Sequence, residues 1–349
     1  MIASDFAPML EVTRGPIVES LHFGALAIVN VDGEVLFSLG NAQAFCYLRS
    51  SAKPFQVLPF VEAGGPDAFG LSERELALMC ASHSGTDEHV AVVSGIQRKI
   101  DVSESDLLCG AHPPYHEPTA LEMARRGEQP TSNRHNCSGK HTGMLAQAML
   151  NHFPKADYLN PSHPVQQLIL KAIAEVSETP ADQIPLGIDG CTAPVHALPL
   201  RNAGWAYARL ADPSRLEARR AAALHRIAAA MMAHPDMVAG PERFDTLGMQ
   251  RGAGRFVAKA GAEGYQGMGI LPGALGANSP ALGVVFKVAD GDRGDRARPI
   301  LAIEILRQLG LFDAADLEAL PGLAPRPVRN WRGLEVGQYR PCFQIPPLF

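Results

Sequence analysis

Arg49-Ser50-Ser51-Ala52-Lys53-Pro54 stands where a strand-rich N-terminal stretch gives way to helix, and its reading divides the chain. Upstream, Ala25-Leu-Ala-Ile-Val29 and Val35-Leu-Phe37 flank Val31-Asp32-Gly33-Glu34, a tight-turn signal that predicts a hairpin over Ala25–Leu39. Downstream, Ser50 opens a predicted helix with Pro54 near its start and Phe55, Val57, Leu58, Phe60 and Val61 as apolar surface. The same six residues carry chemistry. A serine hydroxyl is a poor nucleophile until a base takes its proton, and a lysine one helical turn later can place its amine beside that hydroxyl. The amine is a base only if its pKa falls, which burial beside another cation would cause.

Working outward, helices are predicted over Leu71–Met79, from Thr86 or Asp87 towards Ile100, and over Gly139–Met149, Pro164–Val176 and Leu216–Met232. Residues 103 to 160 are otherwise broken by Pro113, Pro114, Pro118 and Pro130 into loops and short helices. Strand signals return at Arg255–Ala258 and Ala281–Val288, followed by the Asp290-Gly291 turn, a helix over Pro299–Leu309, a Pro-rich connector over Leu320–Val328 and a last strand over Val336–Phe343. Strands, then a helical middle, then strands again predict an α/β chain with an antiparallel sheet of terminal strands. The division expected is a single unit over 1–349, its sheet part at roughly 14–48 and 253–345 and its helical part at roughly 49–252.

Bulk properties narrow the function. The 349 residues carry a net charge of -5 with 46% hydrophobic and 19% charged residues, an ordinary globular composition. With no dense Lys/Arg run and no apolar stretch long enough to span a bilayer, neither nucleic acid nor membrane is an expected partner. Met1 to Thr13 carries acids where a secretory leader would be basic and apolar, so a cytoplasmic location is expected. The cysteines Cys46, Cys80, Cys109, Cys137, Cys191 and Cys342 lie far apart with no Cys-x-x-Cys, so buried thiols are expected rather than disulfides.

Three further clusters join Ser50 and Lys53. Ser82 lies in Cys80-Ala-Ser-His-Ser-Gly85, a small-residue loop between helices, and Lys259-Ala-Gly261 ends a strand with a lysine and a glycine. Ser-x-x-Lys, a loop serine and a Lys-x-Gly strand follow the order found in penicillin-binding enzymes and class A β-lactamases, with Ser-His-Ser in place of Ser-Asp-Asn and Lys-Ala-Gly in place of Lys-Thr-Gly. Asn136-Cys-Ser-Gly-Lys-His141 and Asp189-Gly-Cys191 offer two thiols, a lysine, a histidine and a carboxylate, enough for a metal site or a polar substrate pocket.

Taken together, Arg49–Pro54, Met79-Cys-Ala-Ser-His-Ser84, Cys109-Gly-Ala-His-Pro113, Asn136–His141, Asp189–Cys191 and Met237-Val-Ala-Gly240 resemble the Rhizobium-type, thermolabile "asparaginase II" L-asparaginases, over roughly Arg14 to Phe343. The resemblance implies a serine β-lactamase-like fold. It implies Ser50 as the acyl-accepting nucleophile with Lys53 as its base, and Ser82 with Lys259 as a second Ser–Lys pair. It places zinc on Cys137, Lys140 and Cys191, puts Asp189 at the substrate's amino-acid moiety, and sets Arg49 and His141 near the site. Family members form homodimers, and a homodimer is expected.

Each residue has a plainer reading. Ser50 could be a helix cap, Ser82 a turn residue, Lys140 a surface lysine, and Cys137 and Cys191 packed thiols that never meet. His112, His163 and His234 precede prolines and read as turn or cap residues. The function expected is hydrolysis of L-asparagine to L-aspartate and ammonia through a Ser–Lys acyl-enzyme. The alternatives are a glutaminase or other serine acyl hydrolase of the same fold, and a catalytically silent zinc-binding protein.

Overall fold

The structure, a computed structural model, describes residues 1–320 and 322–349. Pro321, inside the stretch read as a connector, lies outside the described residues. The chain groups into two compact units, Met1–Cys46 with Leu198–Asp212 and Arg251–Phe349, and Tyr47–Ala197 with Pro213–Gln250.

Strands β1 (Ala7–Arg14), β2 (Ile17–Asn30) and β3 (Val35–Leu39) open the chain, and β4 (Phe45–Tyr47) precedes the Ser-x-x-Lys turn. Strands β5 (Leu186–Ile188) and β6 (Pro194–Pro199) fall in the middle. Strands β7 (Phe256–Gly261), β8 (Tyr265–Ile270), β9 (Leu282–Val288), β10 (Pro327–Arg329) and β11 (Glu335–Pro341) follow.

The first unit is built on the order β10-β11-β1-β2-β9-β8-β7, with β3 on β2. Both ends of the chain supply it. Leu10, Glu11 and Val12 of β1 face Pro341, Arg340 and Tyr339 of β11, antiparallel, and Gly24–Asn30 of β2 runs against Val288–Leu282 of β9. The predicted hairpin is β2–β3, where Asn30 Oδ1 accepts from the Asp32 and Glu34 amides and Gly33 takes a φ of 80°. Strand β9 is buried at every position, so it reads as a continuous apolar run instead of alternating. The helix Leu200–Ala211 belongs to this unit, although the sequence places it in the helical part. It packs on β8 and β9, and contact is close because both surfaces carry glycine. A Cβ on Gly283 would stand 1.7 Å from the Gly204 carbonyl oxygen. From the same helix, Trp205 Nε1 donates to Val31 O (2.8 Å) and Arg201 Nε donates to Gly33 O (2.8 Å), pinning the hairpin turn. Strand β8, Tyr265-Gln-Gly-Met-Gly-Ile270, was not signalled by the sequence because glycine weakens strand propensity. Here the glycines admit Tyr207, whose ring would lie 2.2 Å from a Cβ on Gly267.

The second unit is helical. The helix Lys53–Glu62 is buried from Lys53 to Val61 and packs against the helices Ser138–Leu150, Pro164–Ser177 and Ala218–Ala233. A helix apolar on all sides marks a core, and this one carries Lys53 into it. Ser138–Leu150 is buried from Ser138 to Ala148. Local caps set the boundaries. Ser72 accepts from Glu75 N while Glu75 returns to Ser72 N (2.8 Å), Thr86 caps Asp87–Lys99, and His163 Nδ1 caps Pro164–Ser177. No helix among the described residues is long and apolar enough to cross a membrane.

Candidate active site

Four segments of the helical unit converge, and backbone hydrogen bonds join three of them. The loop that follows the helix Glu73–Met79 is stitched to the segment before Gly240 by Ser82 N on Val238 O (2.9 Å) and Ser84 Oγ on Ala239 O (2.8 Å). It is stitched to the turn before the helix Ser138–Leu150 by His83 N on Asn136 O (3.1 Å). The Cys80–Gly85, Asn136–His141 and Met237–Gly240 motifs therefore form one wall. The fourth segment is the tight turn between β5 and β6, where Leu186, Gly187 and Ile188 face His196, Val195 and Pro194 and the turn presents Asp189 and Cys191.

Lys53 sits at the centre. It is 1% exposed, and its Nζ donates to Ala81 O and lies 2.9 Å from Ser82 Oγ and 3.2 Å from Cys137 Sγ. Burial pushes its pKa below the ordinary lysine range. The Cys137 thiolate resists that shift and the Lys140 charge adds to it. Lys140 Nζ donates to Cys191 Sγ at 2.8 Å, and although burial works against its charge, Cys191 and Cys137 hold it above the ordinary range. The two thiols, more than fifty residues apart in sequence, are brought close enough to titrate as a pair. The first proton leaves easily and the second with difficulty. Cys137 is the better thiolate, because Cys191 and then both lysines favour its charge against burial. Burial favours the neutral amine on Lys53, while the thiols favour the charged amine on Lys140.

Ser50 occupies the short turn Arg49–Ala52, where its carbonyl accepts from Lys53 N. The hydroxyl on which Lys53 Nζ is seated is that of Ser82, not that of Ser50. Arg49 has a left-handed φ of 50°, a sparsely populated conformation for a side-chain-bearing residue. Its Nε and Nη2 both donate to Asp189 Oδ1, at 3.0 and 2.8 Å, which ties the Ser50 turn to the β5–β6 turn. His141 is fully buried, its Nδ1 2.7 Å from the Tyr158 hydroxyl, and burial holds it neutral. Its Nε2 is buried without a hydrogen-bond partner. Lys259 belongs to the other unit, on β7, at 0% exposure, with Nζ donating to Ala260 O (2.8 Å). Of the ten residues singled out from sequence, nine lie in the helical unit.

Three residues were not singled out. Arg243 Nη1 donates to Ser82 O at 2.6 Å, Tyr115 stacks on His112, and Cys137 N donates to His135 Nδ1 at 3.0 Å. Arg243 follows the Met237–Gly240 motif by three positions, which is the one sequence signal that could have found it.

The donor set can be tested against zinc. Among the described residues no three His, Cys, Asp or Glu side chains cluster to hold a metal ion, so the two cysteines would need a donor of another kind, such as Lys140. Two thiols and an amine suit zinc in kind. At zinc–sulfur and zinc–nitrogen bond lengths, Lys140 Nζ and Cys191 Sγ would stand about 3.6 Å apart. Their present 2.8 Å is an ammonium–sulfur hydrogen bond, so the metal would have to displace a proton and part the two atoms by about 0.8 Å. By donor type, though not by present spacing, the three residues suit the ion.

The sequence profile described as L-asparaginase II matches residues 10–341. The chain belongs to the L-asparaginase II family. This membership makes it an amidohydrolase. No curated protein matches the chain. Among solved structures it is similar to a probable glutaminase of Bacillus subtilis, with 14% identity over 82% of this chain and 88% of that one and a TM-score of 0.37. A Bacillus glutaminase in 4.3 M NaCl is similar at 13% over 82% and 91%, also at 0.37. Likeness at that level adds nothing to the assignment, which rests on the family match.

Proposed function

We propose that this member of the family hydrolyses the side-chain amide of L-asparagine to L-aspartate and ammonia through an acyl-enzyme on Ser50. Lys53 takes the proton of the attacking hydroxyl, and Ser82, hydrogen-bonded to the same amine, carries protons between Lys53 and the departing ammonia. Water then hydrolyses the β-aspartyl ester by the same route in reverse. The observation supporting this reading is the fully buried Lys53 amine, 2.9 Å from one serine hydroxyl and one helical turn beyond another. Lys259 is assigned to the second Ser–Lys pair, and Asp189, Arg49 and His141 to holding the substrate. Zinc on Cys137, Lys140 and Cys191 would supply positive charge beside the carboxamide. The fold that accompanies this reading is the serine β-lactamase-like one, and the working enzyme is taken to be a cytoplasmic homodimer.

The Lys53–Ser82 contact favours a second reading, in which Ser82 is the nucleophile and Ser50 the relay. Ammonia release and mass-spectrometric trapping of the acyl-enzyme separate the two in Ser50→Ala and Ser82→Ala. Under the first reading Ser50→Ala loses about 10⁴-fold or more in kcat and forms no adduct, while Ser82→Ala loses about 10²- to 10³-fold and still acylates. The reverse pattern transfers the role to Ser82. Asparagine, glutamine and a chromogenic β-lactam are compared on the wild type. Turnover of none of them leaves the silent zinc-binding protein.

A further inference from the structure

Tyr115 is a large aromatic residue that stands 59% exposed on a strap of loop, and the core does not account for it. The strap is fastened at both ends to the wall of the site. At one end Asn136 N donates to His112 Nε2 (3.0 Å), immediately before Cys137. His112 also packs against His135, with ring centroids 4.4 Å apart, and His135 accepts from Cys137 N. At the other end His116 N donates to Ser84 O (3.0 Å), two residues beyond Ser82. Between these anchors the Tyr115 ring lies flat on His112, with centroids 4.7 Å apart and planes 18° from parallel. Tyr115 is thus carried between the segment that presents Cys137 and the segment that presents Ser82.

Its phenol lies within the field of the charges on that wall. Burial and Cys137 push the phenol above its ordinary range, Arg243 and Arg49 pull it down, and Asp189 pushes it up again. The Arg243 head is itself fixed against Ser82 O at 2.6 Å. A phenol donor and a guanidinium on one wall are the chemistry that recognises a carboxylate.

We propose that the Tyr115 hydroxyl, together with Arg243 held on Ser82 O, receives the α-carboxylate of the amino-acid amide and so selects free amino-acid substrates over simple amides. The inference rests on the amidohydrolase reading of the site. Stacking on His112 holds the ring in place before the ligand arrives, so little order is lost on binding. The contact is made equally in ground state and transition state, because the α-carboxylate takes no part in bond breaking. Its loss therefore falls on KM and spares kcat.

The test is Tyr115→Phe, which keeps the ring and its stacking and removes only the hydroxyl. With L-asparagine, KM rises about tenfold and kcat stays within about threefold, the worth of one hydrogen bond to a charged group. With 3-aminopropanamide, which lacks the α-carboxylate, wild type and Tyr115→Phe are indistinguishable. An unchanged KM for L-asparagine, or an equal loss on both amides, overturns the proposal. Titration with L-aspartate by calorimetry separates it from the amidase reading. If wild type releases no ammonia yet binds L-aspartate about tenfold more tightly than Tyr115→Phe, the amidase reading fails and the carboxylate site stands. If wild type does not bind L-aspartate, the site falls.

Discussion

Gly139 is the second residue of the helix Ser138–Leu150, and replacing it with alanine tests whether close packing sets the geometry of the site. In an unconstrained helix Gly139→Ala would stabilise by up to about 1 kcal/mol through helix propensity. Here the added Cβ would lie 2.2 Å from the Leu78 carbonyl oxygen and 3.0 Å from its carbon. A comfortable approach is about 3.3 Å or more, so the two helices must part by about 1 Å. Overpacking of this kind costs about 1–3 kcal/mol, and the obstacle is backbone, which cannot rotate away, so the cost exceeds the propensity gain. The same displacement draws the helix bearing Cys137 and Lys140 away from the loop bearing Ala81 and Ser82. The Lys53–Cys137 contact, now 3.2 Å, opens to about 4.2 Å, beyond the reach of an N–H···S hydrogen bond. Urea denaturation followed by circular dichroism is expected to show a net loss of about 1–2 kcal/mol, and ammonia-release kinetics a fall in kcat of about 10²-fold from the misplaced amine. A Gly139→Ala protein as stable as wild type, with unchanged kcat, would refute the packing argument.

Two further outcomes follow from the same coordinates. Burial works against the charge of Glu75, but the Lys99 hydrogen bond (2.7 Å) and those of Ser72 outweigh it and lower its pKa below the ordinary 4.5. Its contribution is complete above that value and lost as pH falls through the lower, folded value, so Glu75→Gln should cost about 1–2 kcal/mol at pH 7 and progressively less below about pH 4. A deficit independent of pH would sink this account. In the sheet unit, Gly283→Ala should cost about 3 kcal/mol or more, since its Cβ has the Gly204 oxygen 1.7 Å away, whereas Gly190→Ala, with nothing within 4 Å, should change the melting temperature very little. Equal effects at the two glycines would contradict the close-approach argument.

Local chemistry made parts of the fold legible. Asp32-Gly33 announces its hairpin, Thr86 announces a helix start, and the apolar run 281–288 announces a buried strand because these signals act within a few residues. Strands β1 and β8 gave no such signal, since β8 spends two positions on glycines whose purpose is a helix distant in sequence. The helix Leu200–Ala211 was placed with the wrong neighbours for the same reason, its partner Gly283 lying some eighty residues away. At the site, residue types were readable and pairings were not. Nothing near Cys137 says that it meets Cys191, and nothing in Ser-x-x-Lys says that the lysine rests on the serine at 82. Tyr115 was invisible because an exposed tyrosine in a loop carries no pattern.

The pairing of β2 with β9 has a cost in time. When Asn30 leaves the ribosome, its partner Leu282 is still about 250 codons away, and at about 5–20 residues per second the nascent β2 waits between about 12 and 50 seconds with the edge that β9 covers unmet. Throughout that interval Ala25 to Val29 is an apolar strand edge open to another chain. Yield in the cell should therefore depend on how well that edge is shielded during translation, and slower elongation should favour aggregates over native protein.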